Sequence, residues 1–92
     1  MELVRDLGEE ERWDVVYLDG FHEEHATLYL ADALSSHISQ VLVIDDISWS
    51  SGMHRAWRTL QERPEWRVSF SWRGRGFLLK APHMERQRFQ LS

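Results

Sequence analysis

Val41-Leu42-Val43-Ile44-Asp45-Asp46 is the stretch on which the architecture turns. Four apolar residues in a row, three of them β-branched, are too few for a helix and read as a strand. No position alternates to polar, which suits a parallel strand covered on both faces. The run ends in two aspartates. Upstream, Trp13-Asp14-Val15-Val16-Tyr17-Leu18 has the same character and ends in Asp19-Gly20. Two buried strands, each closed by carboxylates, are the frame from which the rest is read.

Between them the period changes. From Glu23 onward, Ala26, Leu30, Ala33, Leu34 and Ile38 recur at helical spacing. Glu23 and Glu24 occupy the first turn, where acids favour the positive end of the helix dipole. This helix is expected to end near Ser36 and His37. After the second strand, Ser50-Ser51-Gly52 offers helix-start chemistry, and Met53, Ala56, Trp57 and Leu60 form an apolar face. Pro64 stops that helix. Glu65 to Trp72 alternates, with Trp66, Val68, Phe70 and Trp72 on one face and Arg67, Ser69 and Ser71 on the other. Arg73-Gly74-Arg75-Gly76 reads as a turn served by both glycines, and Phe77-Leu78-Leu79-Lys80 as a returning strand.

At the amino end, Leu3, Val4 and Leu7 are spaced like one face of a short helix closing near Gly8. Beyond Pro82 the polar residues 82–92, with Met84, Phe89 and Leu91 their large apolar groups, are expected to fray or to dock as a helix. The fold class is therefore α/β. Two parallel strands are joined by crossover helices and followed by a C-terminal antiparallel hairpin, in one domain over residues 1–81 with a polar tail at 82–92.

The 92 residues suffice for one modest core. With no cysteine in the sequence, disulfides, thiolate metal sites and cysteine nucleophiles are excluded. The start, Met1-Glu2-Leu3-Val4-Arg5-Asp6, lacks an apolar signal core, and no apolar run approaches the roughly 20 residues that span a bilayer. A cytoplasmic protein without membrane partners is the expectation. The net charge of −4 hides an asymmetry. Residues 1–49 carry 12 acids and two bases, whereas residues 50–92 carry three acids and nine bases. Either the basic half meets phosphate or nucleic acid, or the two halves attract each other. The arginines are scattered over helix, strand, turn and tail, which argues against nucleic acid.

Ligands of open α/β sheets bind outside the carboxyl ends of the strands. Asp19, Asp45 and Asp46 stand at those ends. Converging carboxylates repel unless a cation or a proton intervenes, and oxygen ligands suit magnesium, calcium or manganese. Successive strand residues point to opposite faces, so Asp45 and Asp46 can share an ion only if the chain turns between them. The alternative is that one aspartate caps a turn or the next helix. His22 follows Asp19 by three residues, and a histidine there could act as general base or merely cap the helix behind it. Trp49, just past the acid pair, could wall a substrate pocket or pack beneath the following helix.

Taken together, these segments resemble one family. Trp13 to His22, an apolar strand ending in Asp-Gly-Phe-His, is similar to the fourth strand and following loop of class I S-adenosylmethionine-dependent methyltransferases. Val41 to Ser50 resembles the fifth strand with its Asp-Asp-Ile-Ser-Trp continuation. Arg73 to Lys80 resembles the turn into the last, antiparallel strand. The resemblance covers about residues 1–81 and implies a partial Rossmann-like sheet, closest to metal-dependent O-methyltransferases. It implies Asp19, Asp45 and Asp46 as ligands of Mg2+ or another divalent cation, His22 as the base, and methyl transfer to a small hydroxylated substrate. The family holds its donor with a glycine-rich loop after the first strand and an acid after the second, and neither precedes Trp13 here. No residue of the chain therefore inherits a role in binding S-adenosylmethionine. The stretch reads as the carboxyl half of such a domain, without a donor site of its own. The strand at 13–18 would then present a bare edge, which invites a homodimer or a partner chain. The other reading is a non-catalytic interaction module that uses this open edge. A phosphoacceptor domain is disfavoured, because no later strand supplies the aspartate to be phosphorylated.

Overall fold

The computed structural model describes residues 12–19 and 23–91. Their order is β1 (Trp13–Leu18), α1 (Glu24–Ser35), β2 (Ile38–Ile44), α2 (Ser51–Gln61), β3 (Val68–Trp72), β4 (Arg75–Leu79) and β5 (Gln87–Leu91). The strands form one mixed sheet ordered β1-β2-β4-β3-β5. β1 lies parallel to β2, and β5 parallel to β3, while β4 runs antiparallel to both its neighbours. The α/β class is as the sequence implies. The expected helix over Leu3, Val4 and Leu7 falls outside the described residues.

Each helix begins where a side chain satisfies orphan amides. The Glu23 carboxylate accepts from the His25 and Ala26 amides at 2.8 and 2.9 Å. The Ser50 hydroxyl accepts from the Met53 amide at 3.1 Å. Such caps fix where a helix starts as much as how stable it is. Two arginines of the basic half then clamp α2 to α1: Arg55 on Glu24 at 3.0 Å, and Arg63 on Asp32 at 2.9 Å in a two-pronged contact. Both pairs are solvent-exposed, so they set register more than they stabilise.

Both helices pack on one face of the sheet. Ala31 and Leu34 of α1 and Met53, Trp57 and Leu60 of α2 share a core with Val16, Leu18, Leu42, Ile44 and Leu78. Full burial of each large member contributes about 1.5–3 kcal/mol. At Gly76 the sheet comes so near α2 that a Cβ would lie 2.5 Å from the Trp57 ring. Gly76 is thus a strand residue that admits an indole, rather than a turn residue. The turn itself needs Arg73 and Gly74, both at positive φ, 51° and 78°. Positive φ at both central residues marks the tight hairpin turn whose twist matches its strands.

Several sequence expectations change. The face that α1 buries is Thr27, Ala31, Leu34 and Ser35 rather than the Ala26–Leu30–Ala33 stripe, Ala33 being exposed, and Ile38 opens β2 instead of continuing the helix. β1 is not covered on both sides: its open-face side chains Val15 and Tyr17 are 59% and 40% exposed. Trp66 does not share a face with Trp72. β3 starts only at Val68, so Trp66 precedes the ladder and turns into the core at 1% exposure, while Trp72 is 41% exposed. The Trp66 Nε1 has no hydrogen-bond partner. The tail forms neither a frayed end nor a helix, since Gln87–Leu91 pairs with β3 as the far edge strand. Arg86 supports it by donating to the Gln61 carbonyl at 2.8 Å, and Arg88 by pairing with Glu62 at 2.9 Å.

Candidate metal centre

The parallel ladder of β1 and β2 runs one residue beyond the strands. The Asp45 amide donates to the Leu18 carbonyl at 3.1 Å, which sets Asp19 beside Asp45. The chain then turns. Asp46 has φ 58°, a left-handed conformation that aspartate tolerates better than most side chains. Its amide donates to Asp45 Oδ1 at 2.9 Å. This turn removes the geometric objection to a shared ion. Carboxylate oxygens of Asp19, Asp45 and Asp46 all lie within 4.8 Å of one another. Oxygens on opposite sides of a magnesium or calcium ion stand roughly 4–5 Å apart, so the donor set and its spacing fit a hard divalent cation. The loop is tied down behind the acids: the Ile47 amide donates to the Gly74 carbonyl at 2.9 Å and the Trp49 amide to the Asp46 carbonyl at 3.0 Å.

Two residues join the cluster that sequence reasoning did not single out. Arg75, at the start of β4, lies 3.6 Å from Asp45 Oδ1 and donates from Nε to the Tyr17 hydroxyl at 3.3 Å. The Asp45 carboxylate, bonded to the Tyr17 hydroxyl, raises the phenol above its ordinary 10.0, with desolvation adding to it and Arg75 opposing. Tyr17 is therefore a neutral donor at physiological pH rather than a base. Arg75 is held charged chiefly by its bond to Tyr17. Its guanidinium offsets part of the acid charge and competes with any cation there. Tyr17 was legible, because it lies two residues before Asp19 and so on the same side of β1. Arg75 was not, since its position depends on β4 lying beside β2.

Of the remaining candidates, Trp49 stands in the loop behind the acids at 64% exposure and lines neither of the clefts described. His22 lies outside the described residues. No helix among those described is long and apolar enough to cross a membrane. Comparison with known proteins gave no relative: no family model, no curated protein and no solved structure matches the chain.

Proposed function

We propose that the chain is the carboxyl half of a class I methyltransferase-like domain, acting on a small hydroxylated substrate through a divalent cation held by Asp19, Asp45 and Asp46. The observation that carries this reading is the convergence of the three acids at the carboxyl ends of two adjacent parallel strands. Further support comes from β4, the one strand that runs against the others, which is the segment resembling the family's last, antiparallel strand. The cation would act as a Lewis acid, lowering the pKa of a bound hydroxyl. Asp19, Asp45 and Asp46 hold and orient it, and Tyr17 donates to Asp45 and fixes that carboxylate. S-adenosylmethionine does not fit the described residues, which include no glycine-rich loop at a strand end, so no transfer step is derived. A homodimer or partner chain that completes the β1 edge would have to supply the donor site.

The alternative, a non-catalytic module that binds a partner along the same edge, is favoured by the exposure of Val15 and Tyr17. Calorimetric titration of Mn2+ tests the acid cluster directly. Asp19→Asn and Asp45→Asn are expected to weaken binding by about tenfold or more, while Arg75→Gln strengthens it by removing the competing cation. No Mn2+ heat from folded wild-type protein sinks the metal reading. Mn2+ binding without S-adenosylmethionine binding, at any protein concentration, excludes a homodimer as the source of the donor site; the same result with a partner chain bound at the β1 edge sinks the methyltransferase reading and leaves the interaction module.

A further inference from the structure

The arginines of the basic half are nearly all consumed by the fold. Arg55, Arg63, Arg75 and Arg88 pair with carboxylates. Arg67 and Arg86 donate to the carbonyls of Met84 and Gln61. Arg58 and Arg73 remain. Arg58 has no carboxylate partner among the described residues, and Arg73 stacks its guanidinium 4.8 Å over the Trp72 ring. Both line one cleft of about 450 Å3 between α2, the hairpin turn and the β3–β5 edge.

Arg88 lines the same cleft, and no aspartate or glutamate does. Glu62, outside the lining, pairs with Arg88. On the α2 wall, His54, Arg58 and Gln61 stand at successive turns, and Ser71 and Gln90 face them from the sheet. Donors thus come from a helix, two strands and the hairpin turn. Asp19, Asp45 and Asp46 do not line the cleft, which meets their loop at Ile47 and Ser48. In a chain of net charge −4, a cleft lined by three arginines and no carboxylate is where the field favours an anion. The size suits a small molecule, since ligand clefts span roughly 300–1,000 Å3. Arginine forks match phosphate oxygens in pairs.

We propose that this cleft binds a small phosphorylated ligand, with Arg58 and Arg73 as its principal phosphate donors and Arg88 as a third, shared with Glu62. The ligand would touch none of the three acids, and its binding requires no methyl transfer.

The probe is inorganic pyrophosphate, titrated into the full chain at low ionic strength without divalent cations and followed by calorimetry. Arg58→Gln and Arg73→Gln are each expected to weaken binding by about tenfold, the worth of a charge-assisted hydrogen bond. Arg63→Gln removes the same charge outside the cleft and is expected to change binding less than about twofold, after circular dichroism shows it folded. The guanidinium NMR signals of Arg58 and Arg73 are expected to shift on titration. Equal weakening by all three variants would mean diffuse charge attraction and overturn the proposal. So would the absence of pyrophosphate heat from folded protein, or a single-stranded oligonucleotide that binds far tighter with a steep salt dependence.

Discussion

The two faces of the sheet carry similar residues and meet different fates. On the helix face, Val16, Leu18, Leu42, Ile44 and Leu78 disappear beneath α1 and α2. On the other face, Val15, Tyr17, Val41, Val43, Phe77 and Phe70 lie in register across four strands, and no described element covers them. The middle of that face shields itself. Phe70 and Phe77 stack with centroids 4.5 Å apart, and Val43 is only 8% exposed. Its margins do not, for Val15, Tyr17, Phe89 and Leu91 are each 40–59% exposed. Strand sequence therefore records how many faces are meant to be covered. Here it implies two, where the described residues cover one. Exposed apolar side chains at both edges of the sheet are where an interaction surface would form.

The contrast can be broken most sharply by matched substitutions. Leu42→Ala, on the covered face, is expected to lower stability by about 2–5 kcal/mol in urea unfolding. Val15→Lys, on the bare face, is expected to cost less than about 0.5 kcal/mol and to abolish self-association in sedimentation velocity. Should Val15→Lys unfold the chain, the margin of that face is structural and not an interface. Next in size is Gly76→Ala, which drives a methyl group into the Trp57 ring and is expected to cost about 1–3 kcal/mol. An unchanged melting temperature would show that α2 can lift from the sheet.

The smallest effect concerns the seating of α1 on the covered face. The amides of His25 and Ala26 hold the Glu23 carboxyl below its ordinary 4.5. A depressed folded-state value means that its stabilisation is full above 4.5 and is lost as pH falls through that lower value. Glu23→Gln is therefore expected to melt slightly earlier than wild type near pH 7, with the gap closing in acid. A gap that does not narrow as pH falls below 4.5 would place the effect elsewhere.

Much of this fold was legible in periodicity. β1, α1, β2, α2 and the hairpin each form where a local pattern puts them, but the face that α1 buries does not follow from it, since Ala33 is exposed and Thr27 and Ser35 are buried. β5 was not legible, because Gln87-Arg88-Phe89-Gln90-Leu91 has little apolar content and becomes a strand through pairing with β3. Trp66 was misplaced because alternation counted back from Trp72 ran past the true strand start into the turn after Pro64. The acid cluster was legible as residue types and positions. Its shared geometry was not, since it needs the left-handed turn at Asp46, a conformation no residue pattern announces for a non-glycine. The reason for Gly76 was likewise hidden, because it lies in an indole nineteen residues earlier in the chain.

The placement of β4 between β2 and β3 has a consequence for the growing chain. β3 is made before β4 yet cannot join β2 directly, because the slot between them belongs to the later strand. A ribosome that has released everything through Trp72 has made both helices and three strands, but β2 still lacks its inner neighbour. That edge stays open until the next seven residues emerge, and it is Val41-Leu42-Val43-Ile44, the most apolar strand of the chain, that waits. Until the hairpin closes, chains can pair with each other along that open edge, so a slow β3–β4 turn would favour association between chains during folding.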